Sequence, residues 1–169
     1  MLLWSRRLLA GMNILNWAIG LLLLAMLAAT FLPVINARLS LGLSHRYPDA
    51  DIGVVIARMQ IALALVAPVT LAAHAIFTRL IAMIDSVAAH NAFVAANASR
   101  LRQIAWALLV TQICDLVFGV MGAKLSSETG DYFGWSFGLT GWLAVLLLFI
   151  LARIFDEGAA MRDELERTI

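Results

Sequence analysis

Two ionisable residues stand where apolar sequence makes them costly: Asp115, in the run LLVTQICDLVFG (108–119), and Arg58, in IGVVIARMQIALALVAPV (52–69). Gln112 lies one turn before Asp115. A carboxylate, a guanidinium and an amide at matched depth can form a buried ion pair, with Gln112 and Gln60 completing its hydrogen bonds. They can also line a polar cavity opening outward, where Asp115 binds a cation or changes protonation. The plainer reading is a structural clamp.

The other reactive side chains are isolated. His74 reads as a packed or interfacial histidine rather than a metal ligand, and Cys114 as a small residue facing lipid or a neighbouring helix. A single cysteine rules out an internal disulfide and a CxxC pair. HExxH, a nucleophile elbow, a phosphate loop and a clustered ligand set are all missing from the sequence. No metal, cofactor or enzymatic activity is therefore expected, and a net charge of +1 gives no reason to expect direct nucleic-acid binding.

The elements that position these residues follow from composition. Of 169 residues, 63% are hydrophobic and 14% charged, with a mean hydropathy of +0.92. One small core cannot hide that much apolar surface, so part of it must face lipid. About 20 apolar residues cross a bilayer, and four stretches qualify: 14–34, 52–75, 104–122 and 134–152. The expectation is an all-α membrane protein, a single domain (1–169) of four transmembrane helices in an up-down bundle. The first apolar run is longer than a signal-peptide core and is read as a retained helix. Pro68 predicts a kink in the second span.

With both termini on one side, that side holds Arg6, Arg7, Arg79, Arg100, Arg102, Arg153, Arg162 and Arg167; the other holds Arg38, Arg46 and Lys124. The positive-inside rule then places both termini in the cytoplasm. Two cytoplasmic segments follow. The hairpin 76–103 should extend the second helix, turn near His90 to Phe93, and restart at a cap on Asn97 or Ser99. The tail 153–169 reads as an amphipathic continuation of the fourth helix, with Ile154, Phe155, Met161 and Leu165 as its apolar stripe. Its acids suit the hairpin arginines or a basic partner. Arg100, Arg102, Glu157, Arg162, Glu164 and Glu166 are the candidate partner-binding residues. Gly134, Gly138 and Gly141 would permit close helix contact, within the chain or in a homo-oligomer.

Two stretches carry a resemblance. Asn97, Arg100, Leu101, Arg102 and Ile104 match an N-x-x-R-L-R-x-I segment. Phe155, Gly158, Glu164, Glu166, Thr168 and Ile169 match a terminal F-x-x-G and acidic close. Together they resemble the signatures of a bacterial four-helix membrane family known as a domain of unknown function. His90-Asn91-Ala92-Phe93 replaces the family's usual glycine–proline turn, so the turn geometry does not carry over. Members are commonly encoded beside a small Cro/repressor-type helix-turn-helix regulator. The resemblance thus implies a regulatory membrane partner that binds or sequesters such a regulator through the hairpin and acidic tail. The alternative from the residues is a small oligomeric transporter or channel component using an outward polar site at Arg58 and Asp115.

Overall fold

The computed structural model describes residues 2–89, 94–132 and 134–168; the turn expected at 90–93 lies outside the described residues. Among the described residues every regular element is helical: α1 (Leu2–Thr30), α2 (Pro33–Arg46), α3 (Ile52–Ala64), α4 (Val66–Ala88), α5 (Ala95–Thr129) and α6 (Leu139–Thr168). Among the described residues four stretches are long and apolar enough to span a membrane: Trp4–Thr30, Ile52–Ala88, Ala95–Thr129 and Leu139–Arg162. This is a multi-pass α-helical membrane protein.

Local chemistry sets the boundaries. Leu32 precedes Pro33, and the clash that bars the α region before proline leaves it extended at φ −72°, ψ 129°. Pro33 then opens α2, where its missing N–H costs nothing. Asp51 caps α3 by accepting from Val54 N at 3.2 Å. The second span breaks at Leu65, between α3 and α4. Pro68 lacks the N–H that would reach the Ala64 carbonyl, and its ring crowds that oxygen. Gly130, at φ +73°, ends α5 in the left-handed conformation that glycine adopts without strain.

Three expectations need correction. The first helix ends at Thr30, and residues 33 and 34, expected within the first span, instead open the 14-residue α2, which has no buried residue. The third span runs to Thr129, well past residue 122, because Lys124–Thr129 continues the helix until Gly130 stops it. Neither Asn97 nor Ser99 caps α5: the helix begins at Ala95 behind an extended Val94, and Asn97 is already in its first turn.

Neighbours in sequence are neighbours in space. α1 lies against α4, α4 against α5, and α5 against α6, while α1 touches neither α5 nor α6 at backbone contact distance. The helices thus form a row that leaves a groove between α1 and α5, floored by α3 and α4. The two ends of the row differ. At the end carrying the termini, α5 buries Asn97, Ala98, Leu101, Ile104 and Ala105, and α6 buries Ala152 and Ala159. Small side chains let helix backbones approach where lipid offers no hydrophobic drive to association. The apolar stripe expected on the tail is divided: Ile154 and Met161 are exposed, Phe155 is half-buried, the Leu165 side chain lies outside the described residues, and Ala152 and Ala159 are buried.

Candidate functional site

The three residues expected to converge within the membrane are dispersed. Arg58 forms its ion pair with Glu128, near the end of α5, and not with Asp115. Depth explains the correction. Arg58 lies about 9 Å along the helix from the start of α3, at 1.5 Å per residue, and Asp115 about 21 Å from the end of α5. The long arginine side chain reaches outward to the shallower carboxylate. Gln60 donates instead to Thr30 Oγ1 at 3.0 Å, fastening α3 to the end of α1. Gln112 faces α6: a methyl at Gly141 would overlap its amide, so the absent Cβ gives that side chain its room. Gly141 is the one expected small-residue contact that falls in α6; Gly134 and Gly138 precede it.

Asp115 lines the groove between α1 and α5, a cavity of about 420 Å³. Its walls are mainly apolar, with Ile19, Leu23, Val66, Val69 and Phe118, and its polar lining comes from Asn16, Thr70, Thr111 and Asp115. No hydrogen bond or ion pair engages Asp115 among the described residues. A second, smaller cavity of about 300 Å³ adjoins it across Ala62 and Phe118, and Arg58 lines that one.

Beside the groove, α1 is bound to α4 by polar contacts. Asn16 Nδ2 donates to the Thr70 carbonyl at 3.0 Å. A side chain at Gly20 would overlap Thr70, so glycine permits that approach. Trp17 Nε1 donates to His74 Nδ1 at 3.1 Å, with the rings edge to face at 5.5 Å. An indole N–H only donates, so this bond requires a neutral His74 carrying its proton on Nε2. Asn13 Oδ1, 3.0 Å from the same Nδ1, can be served only when Nδ1 is protonated. The two bonds exclude each other.

At the end opposite the termini, Asp131 accepts from the Tyr47 hydroxyl at 2.5 Å and from Arg46 Nη2 at 3.1 Å. Arg46 Nε also donates to the Tyr47 oxygen, at 3.0 Å. The Tyr47 hydroxyl, seconded by Arg46, holds the Asp131 carboxyl below its usual range.

At the end carrying the termini, the signature residues have internal duties. Asn97, fully buried, donates to Ser86 Oγ at 3.2 Å and accepts from Arg100 Nη1 at 2.7 Å. Leu101 and Ile104 are core. Arg102 donates to Asp156 on α6 at 2.5 Å, joining hairpin to tail. Arg153 pairs with Glu157 one turn on at 3.1 Å, and Arg6 with Asp85 at 3.5 Å. Arg162 and Glu164 are exposed; the Glu166 side chain lies outside the described residues.

The family model described as "Protein of unknown function (DUF2975)" matches residues 41–169. The chain belongs to this family. The matched region holds both signatures and every helix from α3 onward. No curated protein and no solved structure matches the chain.

Sequence reasoning missed Glu128 and Asp131 as partners of the arginines, whereas the tie from Arg102 to Asp156 is of the kind expected between the hairpin arginines and the tail acids. Gly130 was the available signal for the two missed acids. Read as the helix stop, it carries α5 past residue 122 and brings Glu128 level with the reach of Arg58.

Proposed function

We propose that the protein is a non-catalytic regulatory partner in the bacterial inner membrane, with both termini cytoplasmic, that holds a small helix-turn-helix transcription regulator at its cytoplasmic face. The observation that carries this reading is the outer face of α6. Ile154, Glu157, Met161 and Glu164 are all exposed and recur at steps of three and four residues, forming one stripe at the end where the termini lie. An apolar face edged with acids suits an amphipathic helix edged with bases, and basic surfaces are what DNA-binding proteins carry. α6 presents this stripe on a firm base, since its opposite face is seated on α5 through Ala152 and Ala159 and tied by Arg102 to Asp156. Arg100 and Arg102 serve that base, which leaves recognition to the α6 stripe.

The reading implies such a regulator encoded beside the gene, and membrane fractionation of cells expressing the two together tests it. The regulator should sediment with membranes holding the intact protein and become soluble when Met161→Lys and Glu157→Lys are introduced together. A regulator that stays soluble beside the intact protein defeats the proposal, and a reporter fusion placing either terminus outside defeats its orientation.

A second reading, a small oligomeric transporter or channel component, draws on Asp115 in its groove, which has no partner among the described residues. It requires flux across sealed vesicles that Asp115→Asn abolishes. The Arg58–Glu128 pair narrows that site to Asp115 alone.

A further inference from the structure

The α1–α5 groove combines three properties that together specify a ligand. Its volume, about 420 Å³, falls within the range of small-molecule sites. Its walls are apolar, and Ile19, Val69 and Phe118 on its rim are exposed where the structure would face lipid. Its polar groups offer acceptors. Asn16 has given its amide N–H to the Thr70 carbonyl, which leaves its own oxygen to accept. Thr111 has given its hydroxyl hydrogen to the Leu108 carbonyl at 2.7 Å, which leaves its lone pairs. Asp115, when ionised, only accepts.

A carboxylate here lies about 20 Å along α5 from Arg102 and about 14 Å from Lys124, deep in the apolar stretch. An unpaired charge at such depth costs several kcal/mol. The cation best placed by sequence to neutralise it, Arg58, is taken by Glu128. The groove is therefore complementary to a monovalent cation that donates hydrogen bonds and carries an apolar body. A hard metal ion would need a shell of oxygens, which these walls do not supply. A quaternary ammonium has no N–H to give. A primary alkylammonium has three donors and, like a lysine head, is cationic at neutral pH. The depth of Asp115 also separates it from the headgroups of amine-bearing lipids.

We propose that this groove binds a membrane-soluble primary amine, with Asp115 as its counter-ion, Asn16 and Thr111 as acceptors, and the chain lying along Leu23, Val66 and Phe118. The proposal does not depend on the cytoplasmic partner.

The test is binding of radiolabelled dodecylamine to the full-length protein in phosphatidylcholine nanodiscs. Saturable binding is expected, weakened about tenfold or more by Asp115→Asn, which removes the charge-assisted bonds. Asp115→Glu should retain it, and dodecyltrimethylammonium should compete poorly. Unchanged helicity and unfolding temperature in Asp115→Asn would exclude a folding defect; among the described residues Asp115 has no partner to lose, so the fold should hold. Equal affinity in Asp115→Asn, equal competition by the quaternary ammonium, or no saturable binding would each overturn the proposal. So would loss of binding in nanodiscs containing phosphatidylethanolamine, which would make the lipid headgroup the occupant.

Discussion

The end of the molecule that holds the termini and the end that holds the α1–α2 and α5–α6 connections are built from the same four spans, yet they cohere by different means. Near the termini, α4, α5 and α6 meet through alanines and one buried amide, with Ala98, Ala105 and Asn97 fully enclosed. At the other end, Met, Phe and Leu side chains line two cavities between the helices, and charged ties stand beside them: Arg58 to Glu128, and Arg46 with Tyr47 to Asp131. Lipid is as apolar as leucine, so apolar area alone does not draw helices together; close fit and polar bonds do. One end is thus suited to rigid display, the other to admitting a guest.

The comparison is broken most severely by filling the tight end. Ala105→Leu adds three carbons where no space exists and should cost about 3 kcal/mol, at the top of the usual range for overpacking. A change of the same size at Ala62, which lines both cavities, should be tolerated. Reversible unfolding in mild detergent and denaturant measures both, and similar losses at the two sites would erase the contrast. Next comes Asn97→Ala, which leaves Ser86 and Arg100 without their shared partner and should cost about 2 kcal/mol. Protection of α5 amides in its first two turns should fall with it; unchanged hydrogen exchange there would show that the amide holds nothing together.

Smaller effects belong to the looser end. Arg58→Met should cost about 1 kcal/mol or less, because Glu128 is 35% exposed and water can replace the lost partner. A loss several times larger would mean that this pair is a structural clamp after all. The least change is expected at the Asp131 clasp. Its carboxyl is held below the ordinary range in the folded protein, so the contribution is fully present above the unfolded carboxylate value. It fades only as pH falls through the lower folded value. Tyr47→Phe removes the principal cause of that depression and should move the Asp131 titration up toward an ordinary aspartate, as read by carboxyl NMR; an unmoved titration would rule out the hydroxyl as its cause.

Much was legible without coordinates, for identifiable reasons. Span number followed from length and hydropathy, which depend only on composition along the chain. The kink before Pro68 and the stop at Gly130 follow from backbone chemistry local to one residue. The family was visible in Asn97, Arg100, Leu101 and Arg102, although their work proved to be internal. Partner choice was not legible. Arg58 pairs with an acid seventy positions away because α5 is two turns longer than hydropathy shows, since Lys124–Thr129 is polar yet helical.

By itself, then, the sequence determined a four-span helical membrane protein and its family, because local propensity and transfer to lipid are properties of a segment. Which carboxylate each arginine meets, which face of α6 is seated on α5, and that Asp115 is left alone in a groove were decided only by tertiary structure. Those outcomes depend on relative depth and rotation of separate helices, and residue identity along one helix leaves both undetermined.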